Sequence, residues 1–130
     1  MRLNHLDLQV TDVARSVEFF EQIFGLELQS NRRSPVIAIL GDGAGFVLVL
    51  QRREAVVYPE GFHVGFLVDD VALVHAVHAR ATAAGLPISP VETDNRSTRT
   101  YCRAPEGYLV EVGCPRVTAS RGSGAASAGR

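Results

Sequence analysis

Two histidines and one glutamate carry side chains that can do chemistry, and they stand at related places in the chain. His5 and His63 each lie seven residues before an aspartate, and Val-Ala follows each aspartate. Glu111 lies in an otherwise apolar stretch near the end of the second half. Imidazole and carboxylate groups serve as metal ligands and as proton carriers. A carboxylate in an apolar strand is costly unless it is paired or metal-bound, so the elements that carry these residues matter.

The two halves of the chain repeat each other. Each histidine segment runs into a helical stretch that ends at a Gly-Leu pair, Gly25-Leu26 and then Gly85-Leu86. Further on, residues 45–50 (GFVLVL) match residues 107–112 (GYLVEV) in position and character. Several matches in the same order indicate a duplicated unit.

Each unit is predicted to be βαβββ. Residues 2–10 and 62–69 alternate between apolar and other side chains, which is typical of half-buried strands. Asp12 and Asp70 are placed as helix N-caps, and the helices end at Gly25 and Gly85. Three short strands follow each helix, at about 26–30, 36–41 and 45–52 and then at 87–91, 98–103 and 108–114.

The predicted fold class is therefore α+β, with two tandem βαβββ modules that form a curled mixed sheet around a cup. We expect one domain over residues 1–117, with module one at 2–53 and module two at 61–114. Residues 118–130 are rich in Gly, Ala and Ser and are expected to be a disordered tail.

Alternation predicts which side chains share a face. The apolar residues of each first strand face the helix, so His5 and His63 project from the opposite, concave face. In the last strand the apolar set that faces the helix is Tyr108, Val110 and Val112. Glu111 is thereby left on the concave face with the histidines.

Composition excludes several function classes. The net charge of −1 gives no electrostatic footprint for nucleic acid. No apolar run approaches the roughly 18 residues that a membrane span needs. Every basic residue is Arg, which excludes a lysine Schiff base. Cys102 and Cys114 form no disulfide framework, and together with the absence of a signal peptide they favour a cytoplasmic location.

These segments resemble the vicinal oxygen chelate superfamily, which includes glyoxalase I, extradiol dioxygenases, fosfomycin resistance proteins and bleomycin-binding proteins. The resemblance covers about residues 2–114 and is carried by the two histidine strands and by the ending APEGYLVE at 104–111. It implies paired modules around a divalent metal, often completed across a homodimer.

Members of this superfamily supply up to four ligands, from the first and last strands of each module. The resemblance implies that His5, His63 and Glu111 are three of them, whereas the fourth position aligns with the apolar Val49. Gln51 would serve only with a shifted register. Two histidines and one carboxylate suit Fe²⁺, Mn²⁺, Zn²⁺ or Ni²⁺.

The subfamilies are each matched in part. Val49 argues against glyoxalase I, which has a carboxylate at that position. Tyr101 matches a tyrosine that extradiol dioxygenases have ten residues before the glutamate, but their additional histidine is missing from this region. Residues 95–97 are similar to fosfomycin-type thiol transferases. Arg99 shares the face of Tyr101 by alternation, and we expect these two as catalytic residues that contact the substrate.

The function expected is that of a metal-dependent lyase, dioxygenase or thiol transferase acting on a small molecule chelated through vicinal oxygens. The alternative is a non-catalytic protein that sequesters a drug or an aromatic metabolite, as bleomycin resistance proteins do. Asp7 and Gln9 share the face of His5 and are candidates for orienting its imidazole. His75 and His78 are expected on an exposed helix face. Whether one chain or two complete the site stays open.

Overall fold

The computed structural model describes residues 1–30 and 33–117, and its fold is α+β, as predicted. The first half contains β1 (His5–Val10), α1 (Val13–Phe24), β2 (Glu27–Leu28), β3 (Ile37–Gly41) and β4 (Val47–Arg52). The second half contains β5 (His63–Leu67), α2 (Val71–Ala83), β6 (Glu92–Thr93), β7 (Ser97–Arg103) and β8 (Leu109–Pro115). The tail predicted at 118–130 lies outside the described residues. Neither described helix is long and apolar enough to cross a membrane.

The strands form two four-stranded sheets, one in each module. The first sheet has the order β1-β4-β3-β2 and the second has the order β5-β8-β7-β6. In both, the first strand runs parallel to the last and the remaining pairs are antiparallel. Over the described ranges the two sheets are separate and are not closed into one. Strands β1 and β5 are therefore edge strands.

Both helices begin where the sequence predicts them. The Oδ1 atom of Asp12 accepts a hydrogen bond from the backbone N–H of Arg15 at 3.0 Å. Asp70 Oδ1 accepts one from Ala72 N–H at 2.9 Å. These bonds use donors that have no partner within the helix. Helix α1 ends at Gly25, whose φ of 71° is the left-handed conformation that glycine tolerates best.

The prediction of a regular strand at residues 87–91 is wrong. The regular strand β6 covers only Glu92–Thr93, and within 87–91 the pairing is one isolated bridge between Ile88 and Cys102. Pro87 and Pro90 explain the difference, because a proline has no N–H to donate to a β-ladder.

One face of each sheet is buried under its helix and the other is open. On β1 the buried residues are Leu8 and Val10, whereas His5 is exposed. The open faces also carry large apolar side chains, since Ile39 is 40% exposed and Leu67 is 74% exposed. Each module thus presents a partly apolar sheet surface to solvent.

The two modules of the chain contact each other through both helices and through strand β5. The rings of Phe24 in α1 and Phe66 in β5 stack with centroids 5.0 Å apart. The guanidinium of Arg80 in α2 donates to the carbonyl of Ile23 through Nη2 at 2.7 Å. A positive charge at the C-terminal end of α1 also complements the helix dipole.

A carboxylate of module two holds the beginning of α1. Glu106 Oε1 accepts hydrogen bonds from the backbone N–H of Thr11 at 2.8 Å and of Asp12 at 3.1 Å. The Thr11 hydroxyl donates to the same carboxylate at 3.0 Å. Glu106 belongs to the segment that resembles the superfamily ending, and here it joins the two modules.

Candidate metal site

His63 and Glu111 come together on the open face of the second sheet. In the parallel pair of β5 and β8, His63 lies opposite Leu109 and Gly65 lies opposite Glu111. The His63 Nε2 atom is 4.0 Å from Glu111 Oε2. Two ligands on one metal ion are about 3.0–3.5 Å apart when both bonds are about 2.1 Å. A small side-chain rotation would therefore allow both to bind the same ion.

A backbone carbonyl orients the His63 ring. Its Nδ1 atom is 2.9 Å from the carbonyl oxygen of Gly61, which can only accept a hydrogen bond. The proton is thus on Nδ1, and in the neutral ring the lone pair is on Nε2, the atom nearer Glu111. Metal-bound histidines are commonly oriented by this kind of bond. A protonated ring would instead form an ion pair with Glu111.

Tyr101 lies beside this pair. It is directly opposite Glu111 in the antiparallel pairing of β7 and β8. Its ring makes an edge contact with the His63 ring, with centroids 6.1 Å apart. Partial burial, followed by the negative charge of Glu111, raises the pKa of the Tyr101 phenol above 10.0. The hydroxyl is therefore protonated at neutral pH and can donate a hydrogen bond.

Arg99 shares the Tyr101 face but is already engaged. Its Nη1 atom is 2.9 Å from Asp94 Oδ2 and its Nη2 atom is 3.9 Å from Glu92 Oε2. Backbone hydrogen bonds from Arg96 and Ser97, followed by the bond from Arg99, lower the pKa of Asp94 to about 2. Two carboxylates therefore balance the Arg99 charge, and its role toward a substrate anion stays a prediction.

His5 does not join this group within one chain. It lies at the start of β1 on the open face of the first sheet, opposite Val47. Over residues 1–30 and 33–117, no three His, Cys, Asp or Glu side chains are close enough together to hold a metal ion. The structure thus assembles two of the three predicted ligands and leaves the third on the other module.

One of the two residues predicted to orient His5 is hydrogen-bonded to another side chain. Asp7 Oδ2 accepts a hydrogen bond at 2.6 Å from Gln51 Nε2, so Asp7 pairs with a glutamine across the sheet. The backbone carbonyl of Gln9 accepts a hydrogen bond from the Tyr58 hydroxyl, and the role of the Gln9 side chain toward His5 stays a prediction. Asp7 also lies directly opposite Val49, which confirms that Val49 is the counterpart of Glu111. The Asp7–Gln51 pair was missed because only the strand register reveals it.

Two cysteines and two helix histidines lie outside this group. Cys102 and Cys114 are buried and free, as expected for small apolar residues. Burial raises the pKa of the Cys102 thiol to about 11, which disfavours the nucleophilic thiolate. His75 is exposed on α2, and His78 is half-buried there.

The chain matches proteins of one superfamily in sequence and in structure. The model of the Glyoxalase/Bleomycin resistance protein/Dioxygenase superfamily matches residues 2–112. A structure described as a possible glyoxalase from Bacillus cereus is 35% identical, with a TM-score of 0.76, and the alignment covers 88% of this chain and 99% of that one. Among curated proteins, no sequence matches the chain significantly.

More distant structures share the fold. Lactoylglutathione lyase from Agrobacterium tumefaciens is 23% identical with a TM-score of 0.68, covering 86% of this chain and 92% of that one. The fosfomycin resistance protein FosX from Listeria monocytogenes is 18% identical with a TM-score of 0.73, covering 90% and 95%. The duplicated βαβββ fold and the match over most of its length place this chain in the Glyoxalase/Bleomycin resistance protein/Dioxygenase superfamily.

Proposed function

We propose that the chain is a divalent-metal-dependent enzyme that acts on a small oxygenated molecule. The metal would be held by His63 and Glu111 of one subunit and by His5 of the partner subunit in a homodimer. The observation that carries this proposal is the His63–Glu111 pair, with the Gly61 carbonyl directing the His63 Nε2 lone pair toward the carboxylate.

The surface around the two histidines supports a second copy as the partner. His5 and His63 both begin strands that lie at sheet edges, and unpaired edges favour association with another chain. Between these two strands is a largely apolar cavity of about 380 Å³, lined by Leu6 and Leu8 on one side and by Val64 and Phe66 on the other. These four residues face the helices, so the cavity lies behind the histidine faces, and dimerisation would cover the two unpaired edges.

The reaction chemistry that we propose follows from the groups around His63 and Glu111. A divalent ion held by His63, Glu111 and His5 of the partner subunit would supply Lewis acidity, which would stabilise negative charge that develops on substrate oxygens. Tyr101 lies opposite Glu111, so its hydroxyl would be placed to donate a hydrogen bond to a substrate oxygen. Arg99 is held by Asp94 and Glu92, so it would contact a substrate anion only by sharing its guanidinium with those carboxylates.

A second candidate is a protein that binds its ligand without converting it, as proteins of the bleomycin resistance type do. The apolar surface of module one favours this function, because the exposed Ile37 and Ile39 share the sheet face of His5 and lie beside the buried Val49. Such a wall suits an aromatic or alkyl group. A ligand that raises the Tm of metal-free protein and is recovered unchanged would favour binding over catalysis.

Mixed dimers test the proposed site most sharply. A dimer of one His5→Ala subunit and one Glu111→Ala subunit contains one site with both defects and one intact site. Co-expressed subunits with different affinity tags, purified through both tags, are expected to bind about one metal ion per mixed dimer. Each variant alone is expected to bind none.

A site completed within one chain gives the opposite result. Each subunit of the mixed dimer would then carry one defect, and metal binding would stay absent. A dimer of wild-type subunits carrying the same two tags, with two metal ions expected, is the matched control. Metal binding in either single-variant homodimer would refute the assignment of that residue.

A further inference from the structure

The first and last strands pair in the same register in both modules. At one corresponding pair of positions, the carboxylate residue is on a different strand in each module. In module two, Gly65 lies two residues after His63 on the first strand, β5. It is opposite Glu111 on the last strand, β8. Two residues after His5, Asp7 lies opposite Val49. Each pair therefore consists of one carboxylate residue and one residue without a polar side chain, but the carboxylate is on the last strand in module two and on the first in module one.

The Glu111 side chain occupies the space above Gly65. A Cβ atom placed on Gly65 would be 3.2 Å from Glu111 Cβ and 3.6 Å from Glu111 Oε2. The carboxylate thus lies over the position where the first strand lacks a side chain. In module one the corresponding position does carry a side chain, and that side chain is the carboxylate of Asp7.

We propose that Asp7 supplies the carboxylate of module one to the metal site, as a fourth ligand beside His5, His63 and Glu111. The inference rests on the proposed function, since the site must be completed by a second subunit. On this proposal, Asp7 on β1 takes the place of a carboxylate at Val49 on the neighbouring strand β4. The complete set of metal ligands is then two histidines and two carboxylates.

Gln51 positions this carboxylate. Its Nε2 atom donates to Asp7 Oδ2 at 2.6 Å, from two residues beyond Val49 on β4. Asp7 Oδ1 has no hydrogen-bond partner among the described residues, so it is available to a ligand. Carboxylates that bind metal are typically held in this way by a second polar group. Gln51 is therefore a positioning residue that acts through Asp7.

The test compares metal affinity in two matched variants, with Mn²⁺ and Zn²⁺ as probes in titration calorimetry. Asp7→Asn removes one charged oxygen, and we expect it to raise the Kd at least about tenfold. Asp69→Asn, an exposed aspartate just beyond β5, is expected to leave the Kd unchanged. Equal Kd values for the two variants would overturn the inference. A wild-type protein that binds neither ion would refute the proposed function itself.

A second experiment moves the carboxylate back. Asp7→Gly is expected to weaken binding, and Asp7→Gly combined with Val49→Glu recreates the Gly65–Glu111 arrangement in module one. We expect the double variant to recover a Kd within a few-fold of wild type. Failure to recover, with the Tm of the metal-free protein unchanged, contradicts the inference. If the Tm falls, the Asp7→Asn comparison decides, because that change is nearly isosteric.

Discussion

Gly65 lies directly opposite Glu111, and the absence of a side chain at Gly65 makes room for the glutamate. A Cβ atom there would be 3.2 Å from Glu111 Cβ and 3.3 Å from the Glu111 carbonyl oxygen. Both distances are shorter than ordinary van der Waals contacts, so the glutamate would have to move. The glycine therefore belongs to the candidate metal site even though it offers no ligand.

Gly65→Ala is expected to weaken metal binding more than it weakens the fold. The added methyl group displaces Glu111, and overpacking of this size costs about 1 kcal/mol in the free energy of unfolding. Titration calorimetry and urea unfolding of the same sample separate the two effects. The exposed glycine Gly61 is no suitable control because its φ is 80°, so Ala79→Gly on α2 serves as a marker of mild destabilisation. Unchanged metal affinity in Gly65→Ala would contradict this role.

Glu106→Gln tests how module two holds helix α1. The carboxylate accepts hydrogen bonds from the backbone N–H groups of Thr11 and Asp12 and from the Thr11 hydroxyl. Hydrogen bonds to a charged carboxylate are stronger than those to a neutral amide. We expect the variant to lose about 1–2 kcal/mol of unfolding free energy in urea. Glu18→Gln, on an exposed turn of α1, is the control. Equal stabilities of the two variants would refute the prediction.

Asp94→Asn is expected to reduce stability in a pH-dependent way. The folded-state pKa of Asp94 is lowered from 3.8 to about 2, so its stabilising effect is present above about pH 4 and is lost as the pH falls toward 2. The difference in unfolding free energy between wild type and variant should therefore shrink over that interval. Urea unfolding at several pH values measures it. A difference that stays constant down to pH 2 contradicts the assigned pKa.

Glu111→Gln is expected to lower the pKa of Tyr101 in the metal-free protein. The negative charge of Glu111 disfavours the phenolate, so its removal makes ionisation of Tyr101 easier. Titration of the tyrosine ring carbons by NMR measures each phenol separately. Tyr58, whose pKa is raised by burial and by the charges of Glu106 and Asp7, is an internal control that should not move. A Tyr101 pKa that stays unchanged would show that Glu111 does not act on the phenol.

Much of the fold follows from local patterns. The internal repeat predicts the two modules, and the capping positions of Asp12 and Asp70 predict where their helices begin. The open faces of the sheets are predicted by the alternation along residues 2–10 and 62–69. The same alternation predicts that Glu111 and His63 share a face, which the structure confirms. The strand predicted at 87–91 fails because two prolines remove ladder donors, which apolar character alone does not reveal.

The candidate site is less completely encoded in local patterns. His5 lies on a different sheet from His63 and Glu111, and the placement of the two modules involves contacts between distant parts of the sequence, such as the Arg80–Ile23 bond. The Asp7–Gln51 bond depends on the register between β1 and β4, which joins residues 44 positions apart. Alternation in the sequence predicts which face of a sheet a residue occupies. Which residue lies opposite it on the next strand is known only from the structure.

The central claim is that His5, His63 and Glu111 hold one divalent ion, and the metal content of protein purified without chelators tests it most directly. Elemental analysis should compare wild type with His5→Ala, His63→Ala and Glu111→Ala, with the exposed helix histidine variant His75→Ala as control. We predict near-stoichiometric metal in wild type and His75→Ala, and its loss in the other three. A wild-type protein that neither contains nor binds metal, or metal retained in all three site variants, would contradict the claim.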